Sequence, residues 1–150
     1  MTSQPPIFQL IYFSDRPAES TLSVVELICE AAYKRNRVDG VTGLLVYNDS
    51  MFLQFIEGPK EAVTNCYARI EKDTRHHTPV VIWENFSETR VFPDGAAMRI
   101  EAGSNERFAS LLALSDLETK RHTGAEGLRL EGLSRFATFQ SVADERINEN

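Results

Sequence analysis

Met51-Phe-Leu-Gln-Phe-Ile-Glu-Gly58 is a run of large apolar residues broken by one amide, Gln54, and no other residue constrains this chain as much. Buried without hydrogen bonds, an amide costs roughly 2–7 kcal/mol, depending on the reference state. Gln54 therefore needs partners for one acceptor oxygen and two donor hydrogens, drawn from side chains, backbone, water or a heteroatom-rich ligand.

The neighbouring segments say what surrounds that run. Ile7 to Ser14, rich in Ile, Phe and Tyr and stopped by Asp15-Arg16-Pro17, reads as a first strand. A helix follows, because Ser23 and Glu26 have capping-box spacing and Val24, Leu27, Ile28, Ala31 and Ala32 repeat at helical intervals as far as about Asn36. Val41 to Tyr47 and Met51 to Ile56 read as two strands joined at Asn48-Asp49-Ser50. Gly58-Pro59 opens a second helix, with Pro59 in its first turn, an apolar stripe of Val63, Cys66, Tyr67 and Ile70, and an end at Asp73 to His77. Val80 to Trp83 starts a fourth strand. A fifth is expected within Val91 to Ile100, where Pro93-Asp94-Gly95 disturbs the pattern.

The order βαββαββ over about residues 1–100 predicts an α+β, ferredoxin-like domain, one mixed sheet with both helices on one face. Residues 101–150 predict a helical extension, with one helix over Asn105 to Leu114 and another through Leu128, Leu133, Phe136 and Phe139. At that size the extension is expected to cover the sheet's second face or a partner, not to form an enzymatic domain.

Composition removes several function classes. Acids outnumber bases 22 to 16, for a net charge of -6, so nucleic acid is not an expected partner. No segment approaches the roughly 18 apolar residues of a membrane span, and Met1-Thr-Ser-Gln-Pro-Pro6 lacks a signal peptide's design. A cytoplasmic protein without a membrane partner is expected. Cys29 and Cys66 fall at apolar positions of the two helices, as free buried thiols, and no metal-site spacing is present. The chain carries no nucleophile elbow, P-loop or GxGxxG, so it is not read as an enzyme. An acylphosphatase-like hydrolase on the same topology needs a phosphate-cradling loop after the first strand, where Asp15-Arg16-Pro17 stands instead.

In this topology the first and third strands are central, so Tyr12 and Gln54 are expected as neighbours under the helices, with Asn36 supplied from the end of the first. Two readings stand side by side: a polar cluster that fixes the core, or the lining of a ligand site. Arg69 and Asp73, four apart on the second helix, form either an exposed ion pair or a guanidinium site for a ligand carbonyl or phosphate. His76 and His77 follow at that helix's end, where positive charge is favoured. Trp83 reads as a core or interface residue.

Taken in order, Leu10-Ile-Tyr-Phe-Ser14, Asn36, Gly40-Val-Thr-Gly-Leu-Leu-Val-Tyr47, Phe52-Leu-Gln-Phe-Ile-Glu-Gly58 and Asp73-Thr-Arg-His76 resemble the BLUF family of blue-light sensors using FAD. The resemblance covers about residues 7–100 and includes the family's 42-residue step from tyrosine to glutamine. It implies a ferredoxin-like domain holding FAD between its helices; FMN is set aside only through the family. It also implies that Tyr12 donates an electron and proton to the photoexcited flavin, while Gln54 bridges the phenol to the flavin N5 and C4 carbonyl edge. Asn36 is then expected on the other polar edge of the ring, with Arg69, Asp73 and His76 as further flavin contacts. The family's Phe-x-x-Trp-x-Met becomes Phe92-Pro-Asp-Gly-Ala-Ala-Met98 here, so either Met98 or Ala97 faces the flavin as part of the switch.

Output is expected to pass to a separate effector, in cyclic-dinucleotide or transcriptional signalling by family analogy, or through a homo-oligomer. The competing reading is a flavin-free, ferredoxin-like interaction module.

Overall fold

Side chains of a strand alternate between the two faces of its sheet, and a strand covered on both sides therefore becomes apolar throughout. The first strand meets that condition. In a computed structural model that describes residues 6–15, 22–47, 51–73, 77–92, 98–101, 136–137 and 139–141, Phe8 to Ser14 are all buried. The elements are β1 (Ile7–Asp15), α1 (Leu22–Asp39), β2 (Thr42–Tyr47), β3 (Met51–Gly58), α2 (Lys60–Lys72), β4 (His77–Ser87) and β5 (Met98–Glu101).

The sheet order is β4-β1-β3-β2-β5, with β5 parallel to β2 and every other neighbour pair antiparallel. This is the ferredoxin-like arrangement expected from the sequence, with β1 and β3 at its centre. Each sheet face carries its own core. Phe8, Leu10, Tyr12 and Ile56 pack with Val63 and Cys66 of α2 on one face, called here the pocket face. Ile11, Phe13, Leu44, Phe55, Trp83, Phe92 and Phe139 pack on the second face.

Gly40 stops α1. Its φ of 75° is a left-handed conformation that suits glycine, and the Val41 N–H donates to the Asn36 carbonyl at 2.8 Å, the six-residue closure of a Schellman motif. The helix thus runs past Asn36 to Asp39 and begins at Leu22, so Ser23 lies inside it and not at its cap. Two members of the expected apolar stripe face outward: Leu27 is 61% exposed and Ala31 is exposed, while Asn36 is buried. Nine residues at about 100° each place Leu27 about 180° from Asn36, on the opposite side of the helix. The side chains of Val24, Ile28, Cys29 and Ala32 lie outside the described residues.

Pro59 is the N-cap of α2, one position before its expected place, and Asp73 is the C-cap, with its N–H donating to Ile70 O at 3.1 Å. His77 is the first residue of β4, paired with Asp15, and so does not belong to the helix end. β4 is longer than expected because two register irregularities against β1, between Ile11 and Tyr12 and between Phe13 and Asp15, let the ladder continue past Pro79. β5 is shorter. Val91 and Phe92 are not strand residues, because their N–H groups donate to the Glu57 carboxylate at 2.9 and 2.6 Å instead of to a neighbouring strand.

The helix expected over Asn105 to Leu114 and the residues Leu128 and Leu133 lie outside the described residues. Phe136 and Phe139 are helical and pack on the second face, with Phe136 stacked on Trp83 at a 4.2 Å centroid distance. Among the described residues no helix is long and apolar enough to cross a membrane.

Candidate functional site

Tyr12 and Gln54 are cross-strand partners in the β1–β3 ladder, so both side chains leave the sheet on the pocket face. The Tyr12 hydroxyl donates to Gln54 Oε1. Tyr12 is 1% exposed and Gln54 7%, which makes this a desolvated bond. The geometry also orients the amide. With Oε1 on the phenol, the Nε2 hydrogens face elsewhere, and among the described residues they have no recorded partner.

Asn36 repeats the pattern from α1. It is 3% exposed, and Cys66 Sγ of α2 donates to its Oδ1 at 3.4 Å, again leaving the amide nitrogen without a recorded partner among the described residues. The Schellman closure holds the Asn36 backbone, so the position of this amide follows from where Gly40 stops the helix. Two buried amides thus spend their oxygens on internal donors and keep their NH2 groups. Buried donors are satisfied in folded proteins, and a flavin ring, with carbonyl oxygens and ring nitrogens along one edge, supplies acceptors of the required kind.

The rim between the helices is charged. Arg69 Nη2 lies 3.6 Å from Asp39 Oδ2, and Arg35 Nε donates to the same oxygen at 3.0 Å. Arg69 therefore bridges α2 to α1, whereas the sequence pairs it with Asp73 on its own helix. Burial pushes the Cys66 thiol above its ordinary 9.0, against the opposing pull of Arg69, so Cys66 acts as a neutral donor to Asn36. Tyr67, edge-on to Tyr12 at 5.5 Å, is pushed up to about 12 by burial first and then by Glu71 and Glu84. It stays a neutral phenol at physiological pH.

The structure thus brings Tyr12, Gln54, Asn36 and Arg69 around the pocket face, with Asp73 half-buried at the end of α2. His76 lies outside the described residues. Met98 pairs in register with Leu44, a second-face row, and Arg99 pairs with Leu45, the row of Gln54; the side chains of β5 are also outside the described residues. Among the described residues no cluster of His, Cys, Asp and Glu is arranged to hold a metal.

Sequence reasoning missed a second polar group. Glu57 and Gln9, both 0% exposed, face each other across β3 and β1, and Gln9 Nε2 donates to Glu57 Oε1 at 3.1 Å. The signal was available: each is a polar residue in an apolar run, the same oddity that marks Gln54.

The family model for BLUF, sensors of blue-light using FAD, matches residues 7–98. The chain is 31% identical over 112 residues to the blue light- and temperature-regulated antirepressor BluF of Escherichia coli, covering 75% of this chain and 28% of that protein. It is 28% identical over 116 residues to the photoactivated adenylate cyclase subunit beta of Euglena gracilis, covering 77% of this chain and 13% of that protein. It therefore spans less than a third of either relative. The dark-state structure of BlrB, a BLUF protein, matches with a TM-score of 0.70 at 26% identity, over 91% of this chain and 97% of that one. The fold, the paired tyrosine and glutamine and the family match agree: this chain belongs to the BLUF family, the blue-light sensors that use FAD.

Proposed function

We propose that this protein senses blue light through FAD seated between α1 and α2, that Tyr12 and Gln54 form its switch, and that its output is conformational and passes to a separate effector. The observation that carries this reading is the buried Tyr12–Gln54 hydrogen bond, with the glutamine's donor hydrogens left for a partner in the pocket. Bound FAD supplies the absorption of blue light and a transient acceptor for an electron.

The chain's own residues do the rest. Asn36 and Gln54 present donors to the polar edge of the ring, Arg69 and Asp73 stand near the end of α2, and His76 is assigned as a further flavin contact. Tyr12 holds a proton at Oη against Gln54 Oε1. When that proton is loosened, the amide is free to rotate or tautomerise, which exchanges donor and acceptor at its two corners. The hydrogen bond that re-forms between Tyr12 and the rearranged amide would fix the new arrangement until it relaxes. Met98, in the row of Leu44, is assigned to carrying the change along β5.

Residues 1–100 form the sensor in this reading and residues 101–150 a helical extension, with Phe136 and Phe139 touching the sheet's second face. The effector belongs to cyclic-dinucleotide or transcriptional signalling, and the antirepressor relative favours the transcriptional branch. A cytoplasmic homo-oligomer completes the reading, and no enzymatic reaction is assigned to the chain. Gln54→Leu tests the switch. The variant is expected to bind FAD and give no lasting light-induced absorption shift, and a normal photocycle in it overturns the assignment.

A further inference from the structure

Glu57 is the one acidic residue fully buried among the described side chains, and nothing in the photochemical switch uses it. It follows Gln54 by three positions on β3, so it emerges on the opposite, second face. Its carboxylate receives three donors: Gln9 Nε2 at 3.1 Å, Val91 N at 2.9 Å and Phe92 N at 2.6 Å. Gln9 is held in turn by Asn85 Nδ2, which donates to its Oε1 at 3.1 Å. A buried carboxylate satisfied by two main-chain N–H groups and an amide fixes the segment that supplies them, because loss of any partner leaves a buried polar group unpaired.

That segment is fixed at a second point. The Arg90 guanidinium donates to Gly40 O at 2.7 Å, to Thr42 Oγ1 at 2.9 Å and to Glu57 O at 3.3 Å. Gly40 closes the motif that holds Asn36, and Glu57 shares a strand with Gln54. Residues 90–92 are thus bonded to both elements that carry the pocket's amides. They also deliver Phe92 to the second face, where its ring meets Phe55, the neighbour of Gln54, at 5.6 Å; Phe55 in turn contacts Phe139 at 5.5 Å.

We infer that Glu57 is a positioning residue of the light switch: its carboxylate couples residues 90–92 to β3, so that rearrangement at Gln54 reaches the second face through Phe55 and Phe92. This rests on the photosensor reading above. A two-state change in the β3 strand then moves a segment outside the strand ladder, since the N–H groups of Val91 and Phe92 donate to this side chain.

The test uses the full FAD-loaded chain, wild type and Glu57→Gln, with two readouts: the light-induced absorption shift, and light-minus-dark amide hydrogen exchange over residues 88–101 and 136–141. The variant keeps the volume but turns one acceptor into a donor facing an N–H. The expected result is a retained absorption shift, dark-state exchange in those segments at the wild-type rate, and loss of the light-minus-dark difference. A difference as large as that of wild type overturns the inference, as does faster exchange that is equal in light and dark, the signature of a merely structural role. Phe92→Leu, which leaves the carboxylate's bonds in place, is expected to lose the difference too; a wild-type difference in it removes the Phe55–Phe92 route, which also decides the matter if Glu57→Gln does not fold. A wild type that shifts in absorption but shows no exchange difference sinks this inference alone, whereas a wild type without the shift sinks the photosensor reading and this inference with it.

Discussion

The two faces of the sheet bury polar groups in opposite ways. On the second face Gln9, Glu57 and Asn85 form a chain of hydrogen bonds in which donors and acceptors meet one another and the backbone. On the pocket face Gln54 and Asn36 are as deeply buried, yet among the described residues each has a recorded partner only for its oxygen. A closed network fixes the segments it joins, while buried donors without partners among the described residues call for a ligand. The contrast separates a structural polar cluster from a binding site more sharply than burial or residue type does.

Truncation of a large ring on the second face is expected to register first as lost stability. Phe55→Ala removes a ring packed between Phe92, Phe136 and Phe139, and should lower unfolding free energy by about 3–5 kcal/mol in urea titration. A loss below about 1 kcal/mol would mean that this face is not a packed core.

On the pocket face the same kind of change should act on the ligand first. Asn36→Ala deletes a donor that has no partner among the described residues, and should weaken FAD retention about tenfold, equivalent to one hydrogen bond, with little change in the apoprotein's midpoint. Equal damage to the apoprotein would show that Asn36 is structural.

Alkaline titration probes the pocket face through Cys66 and Tyr67. Both hold their protons more tightly in the folded chain than in the unfolded one, so above about pH 9 the unfolded state binds fewer protons and stability falls as pH rises. The decline runs from the ordinary 9.0 of a thiol and 10.0 of a phenol until Tyr67 itself ionises near 12. Tyr67→Phe should flatten it, as read from urea midpoints on either side of pH 10.

The smallest effect belongs to the rim. Arg69 is 41% exposed and its bond to Asp39 spans 3.6 Å, so Arg69→Ala should change apoprotein stability by at most about 1 kcal/mol, less at high salt. A larger loss of FAD affinity than of stability in that variant would place the guanidinium on the ligand.

Much of this was legible in the sequence because local chemistry and tertiary structure agree there. Apolar runs of strand length mark β1 and β3, and the Tyr12–Gln54 pairing follows from two strands that any ferredoxin-like order puts side by side. Where the reading failed, a distant residue decided. Val91 and Phe92 look like strand residues, but their amides are taken by Glu57, 34 and 35 positions away. The stripe expected on α1 includes Leu27, which is exposed, and omits Asn36, which is buried and bonded to Cys66 of another helix. Gly40 was the local signal for the true end of α1, and it fixes the residue that matters most on that helix.

The absorption spectrum of the FAD-reconstituted full chain, taken in darkness, after a blue flash and again after dark recovery, tests the central claim most directly. A small red shift of the flavin bands that reverses in the dark is the expected result and places the pocket's unpartnered amides on the ring. A colourless protein that does not take up FAD, or a flavin spectrum that light leaves unchanged, would contradict it.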